Sequence, residues 1–223
     1  LITDGIKDEH FTRVLRSDKV NKNILYAGTE TGMYISYDRG NSCNEFQKNL
    51  PIVPITDLTI KDNSLIVATQ GRSIWMIDDL TVFHQLTPST DQIKLYKPKD
   101  SYRMGGAGGR KSLTAGTNLP NGTIIHYFIP NYVKDNDQVK LSIHSADGAL
   151  IKEFSNKSKE NSLKVKNGGN SFVWNMKYPG AKQLENMVLW GIDFSGAKAV
   201  PGNYIVKLKV NDTELTQEFT IHK

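Results

Sequence analysis

A β-rich pattern occurs twice in the N-terminal part of this 223-residue chain, and no other feature constrains its fold as strongly. Ala27-Gly28-Thr29-Glu30 matches Val67-Ala68-Thr69-Gln70. Tyr34-Ile35-Ser36-Tyr37-Asp38 matches Ile74-Trp75-Met76-Ile77-Asp78 at the same interval of roughly 40 residues. Around these matches, short runs of period two are separated by Gly, Asn, Asp and Pro, which is how strands and turns are written. The first cycle predicts strands over 11–16, 24–28, 33–37 and 44–47. The second predicts them over 55–60, 65–69, 73–77 and 82–86. Four strands at this spacing predict a propeller-type blade, a small sheet that buries its faces only against neighbouring sheets.

The turn after the third strand carries the most specific motif, Ser36-Tyr37-Asp38-Arg39-Gly40-Asn41-Ser42-Cys43. Short Ser and Asp side chains at this spacing cap backbone N–H groups that a hairpin turn leaves open. Gly40 supplies the positive φ that the turn needs. The expected role of Ser36, Asp38 and Gly40 is therefore structural. The second cycle keeps Asp78 but has neither the Ser nor the Gly.

This motif resembles the Asp-box, Ser-x-Asp-x-Gly-x-x-Trp, with Cys43 in place of the aromatic residue. It follows Leu25-Tyr26-Ala27-Gly28-Thr29-Glu30-Thr31-Gly32 and precedes Asn49-Leu50-Pro51. The second cycle offers Val67-Ala68-Thr69-Gln70-Gly71-Arg72-Ser73-Ile74-Trp75 and Asp78-Asp79-Leu80. Together these stretches are similar to the bacterial BNR-repeat, sortilin-like propeller proteins, often labelled glycosyl hydrolases. The resemblance covers nearly the whole chain and implies the C-terminal end of a longer, exported protein. It implies an extracellular, periplasmic or cell-surface location. The expected fold is all-β: two four-stranded blades of an incomplete propeller over 1–87, a linker with a Gly-rich loop over 88–118, and an immunoglobulin-like β-sandwich over 119–223.

In such blades the loops between second and third strands share the face that usually binds ligands, which singles out Glu30, Gln70 and Arg72. The planar fork of Arg72 suits carboxylate or sugar-hydroxyl acceptors. A structural role, pairing with a neighbouring blade, is the alternative. Glycoside hydrolysis needs two carboxylates about 5–10 Å apart across a cleft, and in propeller glycosidases different blades supply them. Two blades hold at most part of that set. A sialidase would add an arginine cluster, yet of Arg13, Arg16, Arg39, Arg72, Arg103 and Arg110 only Arg72 falls in a matching loop. No catalytic residue is assigned. The expected function is a binding or scaffolding segment with a glycan or protein ligand. The other reading is the C-terminal part of a glycoside hydrolase whose carboxylates lie in other blades.

Beyond residue 118 period two returns, over 123–129, 138–144, 150–154, 170–176, 203–210 and 215–221. The Asp147-Gly148 and Pro201-Gly202 turns and the Phe172-Val173-Trp174 run are similar to immunoglobulin-like modules that end secreted bacterial proteins. Trp174 and Tyr204 are expected to anchor the core. Trp190 is expected either to lie over that core or to stack on a sugar. The stretch 104–112 resembles a phosphate loop but lacks the Gly-Lys-Ser/Thr run, because Arg110 intervenes. The five histidines are scattered, so no metal or other cofactor is expected, although His126 and His144 could face each other across strands. Cys43 is the single cysteine and has no disulfide partner in the chain. Net charge is +5 with dispersed lysines, which argues against nucleic acid as a partner. No apolar run reaches the ~18–20 residues of a membrane-spanning helix. Two blades alone leave sheet surface uncovered, so further blades of the parent protein or a homodimer are the expected partners.

Overall fold

Period-two alternation resolves into antiparallel meanders. The computed structural model describes residues 2–86, 91–104, 119–181 and 194–223. Within them the chain is all-β, with fifteen strands and one short helix. It divides into two units, Leu1–Pro88 and Ser89–Lys223.

In the first unit, β1 (Thr12–Ser17), β2 (Leu25–Thr29), β3 (Met33–Ser36) and β4 (Asn44–Glu45) form one sheet in chain order. β5 (Ile55–Lys61), β6 (Ser64–Thr69) and β7 (Ile74–Ile77) form a second. The sheets share one core: Tyr26, Met33 and Ile35 of the first pack with Ile55, Leu58, Leu65 and Val67 of the second. Arg16 links them, donating from Nε to the Leu58 carbonyl (2.8 Å) and from Nη2 to Asp57 (2.7 Å).

The duplication extends to an irregularity. Both first strands carry a β-bulge at the same place, between Thr12 and Val14 and between Ile55 and Asp57. The interval, however, is not uniform. Ala27 pairs with Tyr34, whereas Val67 pairs with Trp75. Tyr34 therefore corresponds to Trp75, one residue later than the sequence match to Ile74 suggests. The loop before β7 is one residue longer, and Gly71 (φ 74) and Ser73 (φ 67) absorb the extra residue in left-handed conformations. A one-residue shift exchanges the faces of a strand. It turns Trp75 and Ile77 into the core and leaves Ile74 and Met76 outside.

The fourth strand expected over 82–86 is instead α1 (Thr81–Gln85), so the second sheet has three strands. Asp79 Oδ1 accepts from the Thr81 N–H (2.9 Å) and hydroxyl (2.6 Å), which starts the turn. Helical spacing then puts Leu80, Phe83 and His84 on one side. Leu80 is buried, and Phe83 meets Phe46 edge-on at 5.3 Å. A strand would have sent Phe83 and His84 to opposite faces.

The second unit is a β-sandwich. β8 (Lys94–Leu95), β10 (Thr123–Ile129) and β13 (Gly168–Trp174) form a sheet in the order β13-β10-β8. β9 (Ser101–Tyr102), β11 (Val139–Ser145), β12 (Leu150–Ser155), β14 (Gly202–Val210) and β15 (Thr213–His222) form the other, ordered β12-β11-β14-β15-β9. Alternate residues of both sheets meet in one core, including Ile125, Tyr127, Leu141, Trp174, Tyr204, Val206 and Phe219. β8 and β9 come from the stretch expected as linker. β9 pairs in parallel with β15, through Ser101 and Ile221. The sandwich thus starts earlier than residue 119. His126 and His144 lie on strands of different sheets, so they are not cross-strand neighbours.

Candidate functional site

The loops between second and third strands occupy equivalent ends of the two sheets. Glu30 N–H donates to the Phe11 carbonyl (3.2 Å), and Gln70 N–H donates to the Pro54 carbonyl (2.9 Å). Both loops are thereby tied to the segment leading into their first strands. Glu30 forms an ion pair with Arg13, whose guanidinium also lies over the Phe11 ring at 5.6 Å. The sequence places Arg13 on a strand, outside the matching loops, and its pairing with Glu30 is not legible there because the bulge between Thr12 and Val14 has no period-two signature.

Gln70 and Arg72 are exposed. Among the described residues, the Arg72 guanidinium has no hydrogen-bonding or ion-pair partner. Its backbone is nevertheless held, since Trp75 Nε1–H donates to the Arg72 carbonyl at 2.8 Å. The loop offers a positioned cation at the sheet end, and the inter-sheet link falls to Arg16 instead. Between them the two loops present a charge-paired carboxylate and an exposed aromatic, Phe11 (59% accessible), on the first sheet, and an exposed amide and an exposed guanidinium on the second. Such a set suits hydrogen bonding and stacking on a polar ligand.

Ser36, Asp38 and Gly40 turn inward on their own loop. Ser36 Oγ accepts from Gly40 N–H (2.8 Å) and donates to Asp38 Oδ1 (2.7 Å). Asp38 accepts from Ser42 N–H (2.9 Å) and from the Ser42 hydroxyl (2.6 Å). Gly40 adopts φ +90, and a Cβ there would come within 2.7 Å of Ile2. Cys43 packs with Ala27, Tyr34 and Ile6. The donors around Asp38, the Ser42 hydroxyl foremost, hold its carboxyl at about 2. That is below the ordinary ~3.9. A depressed carboxyl stabilises the fold above its unfolded pKa, and the contribution disappears as pH falls through the folded value. The melting-temperature gap between the native protein and Asp38→Asn is therefore expected to shrink between about pH 5 and pH 2. A gap independent of pH would show that the carboxylate charge has no part in the turn.

A second polar cluster escaped the sequence reading. Asp18 is fully buried. Its Oδ1 accepts from the N–H groups of Val20 (2.7 Å) and Asn21 (2.9 Å). Its Oδ2 accepts from the Tyr26 hydroxyl (3.3 Å) and from His84 Nε2 (3.0 Å). Burial by itself pushes the carboxyl up, but the Asn21, His84 and Val20 donors outweigh it, and the carboxyl stays below its usual range. Burial, with Asp18 beside it, pushes the Tyr26 phenol up. The cluster stitches the β1–β2 turn to α1. Every acceptor position of Asp18 is engaged within the protein, so its chemistry is structural. The Asp-x-x-Asn run at 18–21 was the available signal, but its partner lies 66 residues away.

In the sandwich, Trp174 and Tyr204 are core residues, 0% and 3% exposed. Trp190 and most of the Gly-rich stretch lie outside the described residues. Among the described residues, no group of three or more His, Cys, Asp or Glu side chains is placed to hold a metal, and no helix is long and apolar enough to cross a membrane. No protein-family model matches the chain, and no curated protein matches it either.

Proposed function

We propose that this chain is a non-catalytic binding and scaffolding segment of a larger exported bacterial protein of the BNR-repeat, sortilin-like kind, and that it contacts a glycan or protein ligand through the Glu30–Arg72 edge. One observation carries this reading: Arg72 projects a guanidinium that is unpaired among the described residues, from a loop whose backbone Trp75 clamps at 2.8 Å. The clamp fixes the backbone from which this cation reaches toward an acidic or hydroxyl-rich ligand. Asp18, Asp38 and Arg16, elsewhere in the unit, are engaged by the fold itself. That division of labour supports binding at the loops and scaffolding by the sheets.

The test is binding of the full chain to arrays of neutral and acidic glycans, repeated with Arg72→Ala. The expected result is binding that weakens about tenfold or more when the charge-assisted contact is removed. Binding that survives Arg72→Ala unchanged would move the ligand away from this edge. Silence on every glycan would leave a protein ligand as the remaining form of the proposal, to be sought by the same substitution.

A further inference from the structure

Period two sorts the first sheet into an inner face that meets the second sheet and an outer face that does not. On the outer face Leu15, Ala27 and Tyr34 stand opposite one another on β1, β2 and β3, and Leu25 stands opposite Ser36 in the next row. Ala27 is the small residue in the middle of its row, so it leaves a dip between two large side chains. Cys43, from the loop after β3, packs beside it with a second small side chain.

Residues 2–10 roof this dip. Ile6 packs on Ala27, Tyr34 and Cys43. The Asp4 carbonyl accepts from Cys43 N–H (2.9 Å), and the Tyr34 hydroxyl is hydrogen-bonded to His10 Nδ1 at 2.8 Å. Gly5, at φ +82, lies so close to the Cys43 carbonyl that a Cβ there would collide with it, so the roof is pinned at a place only glycine fits. Beneath it is a cavity of about 110 Å³, bounded by Ile2 and Ile6 above and by Leu15, Leu25, Ala27 and Cys43 below. The polar atoms of its wall are committed elsewhere. Ser36 Oγ accepts from Gly40 N–H and donates to Asp38, and the Tyr34 hydroxyl is engaged with His10. Thr12 also lines the cavity and is exposed, as are Ile2 and Leu15, which places the mouth among these three.

We propose that this cavity is a binding site for a small, uncharged, apolar molecule. A water needs about two to four polar partners to settle inside a protein, and the committed Ser36 and Tyr34 offer it little. An apolar guest instead gains dispersion contact with a largely aliphatic wall. A charged guest is excluded, because among the described residues no Lys, Arg, Asp or Glu side chain lines the cavity to compensate its desolvation. Volume sets the size. An apolar cavity of ~150 Å³ holds benzene or xenon. A cavity of about 110 Å³ therefore admits xenon, or a hydrocarbon of about four carbons. The site is separate from the loop edge and does not depend on any ligand there.

Methyl and amide NMR spectra of the full chain under xenon pressure test this. The expected result is a saturable shift confined to the cavity wall, at Ile2, Ile6, Leu15, Leu25 and Ala27, with none from acetamide, a polar probe of similar size. Ala27→Ile and Cys43→Leu each fill the space and should weaken xenon binding at least about tenfold. The strand accepts a branched residue at this position, since Val67 pairs with Trp75 in the second sheet as Ala27 pairs with Tyr34 in the first. Thermal melting checks that each variant is folded. Arg72→Ala should leave the xenon shifts unchanged, which separates this site from the loop edge. The absence of a saturable xenon shift at the wall, equal binding of acetamide, or xenon binding that persists in a folded, filled variant overturns the proposal. If both variants fail to fold, the location of the shifts in the native chain decides it alone.

Discussion

Trp174→Ala is expected to remove about 3–5 kcal/mol from the C-terminal unit, the largest single loss in the molecule. Trp174 stands on β13, in the three-stranded sheet. Its ring centroid lies 5.8 Å from that of Tyr204 and 6.1 Å from that of Phe219, which belong to β14 and β15 of the other sheet. Tyr204 and Phe219 are themselves stacked at 5.8 Å. The three rings join the two layers of the sandwich, and the indole N–H donates to the Lys177 carbonyl at 3.3 Å. Alanine leaves a cavity that neither sheet can collapse into, because both are fixed by long ladders. Trp174→Phe keeps a ring and loses the hydrogen bond, and is expected to cost about 1–3 kcal/mol. Denaturant unfolding gives the magnitude, and amide exchange in β14 and β15 locates it. A loss under about 1 kcal/mol for alanine would mean that the aromatic cluster does not hold the layers together.

Asp18→Ala is expected to cost the N-terminal unit about 3 kcal/mol. The substitution strands four donors at once, one buried and three part-buried: the Tyr26 hydroxyl, the N–H groups of Val20 and Asn21, and His84 Nε2. Asp18→Asn restores an acceptor to the two backbone groups but presents an amide N–H₂ to Tyr26 and His84, so it should recover only part of the loss. The sign of the pH dependence follows from a carboxyl held below its usual range. The native protein keeps this stabilisation above the ordinary carboxylate pKa of ~3.9 and loses it as pH falls through the lower folded value. Its advantage over Asp18→Ala should therefore narrow in acid. An Asp18→Ala protein as stable as the native one near neutral pH would show that the cluster is dispensable.

These two residues were unequally visible in the sequence. Trp174 was expected in the core, because its Phe172-Val173-Trp174 run is similar to that of immunoglobulin-like modules, whose Trp anchors the core. Asp18 was not singled out, because its meaning comes from His84, which is distant in the chain and was expected on a strand. The segment over 82–86 has no clean periodicity, and so short a run is equally compatible with strand and helix. What decided it was a place for Leu80 and Phe83 beside Phe46.

The loop edge shows the same division. Glu30, Gln70 and Arg72 are recognisable from the repeat, and they do occupy equivalent loops. That Glu30 is already paired with Arg13, and that Arg72 is not paired, depends on a bulge and on a clamp by Trp75. Likewise β8 and β9, two residues each, are too short for any pattern and exist only because β10 and β15 offer them a ladder.

Local chemistry along the chain determined the strands, the turns and the tandem repeat. Alternation of apolar residues reports which side of a strand seeks a core, and Ser, Asp and Gly at fixed offsets report how a turn satisfies its own backbone. Tertiary structure alone decided the one-residue slip between the repeats, and with it which residues of β7 face water. It also decided the helix in place of a strand, the early start of the sandwich and the partners of Asp18 and Arg16. Each of these rests on a contact between residues far apart in sequence, whose energy is absent until the sheets have met.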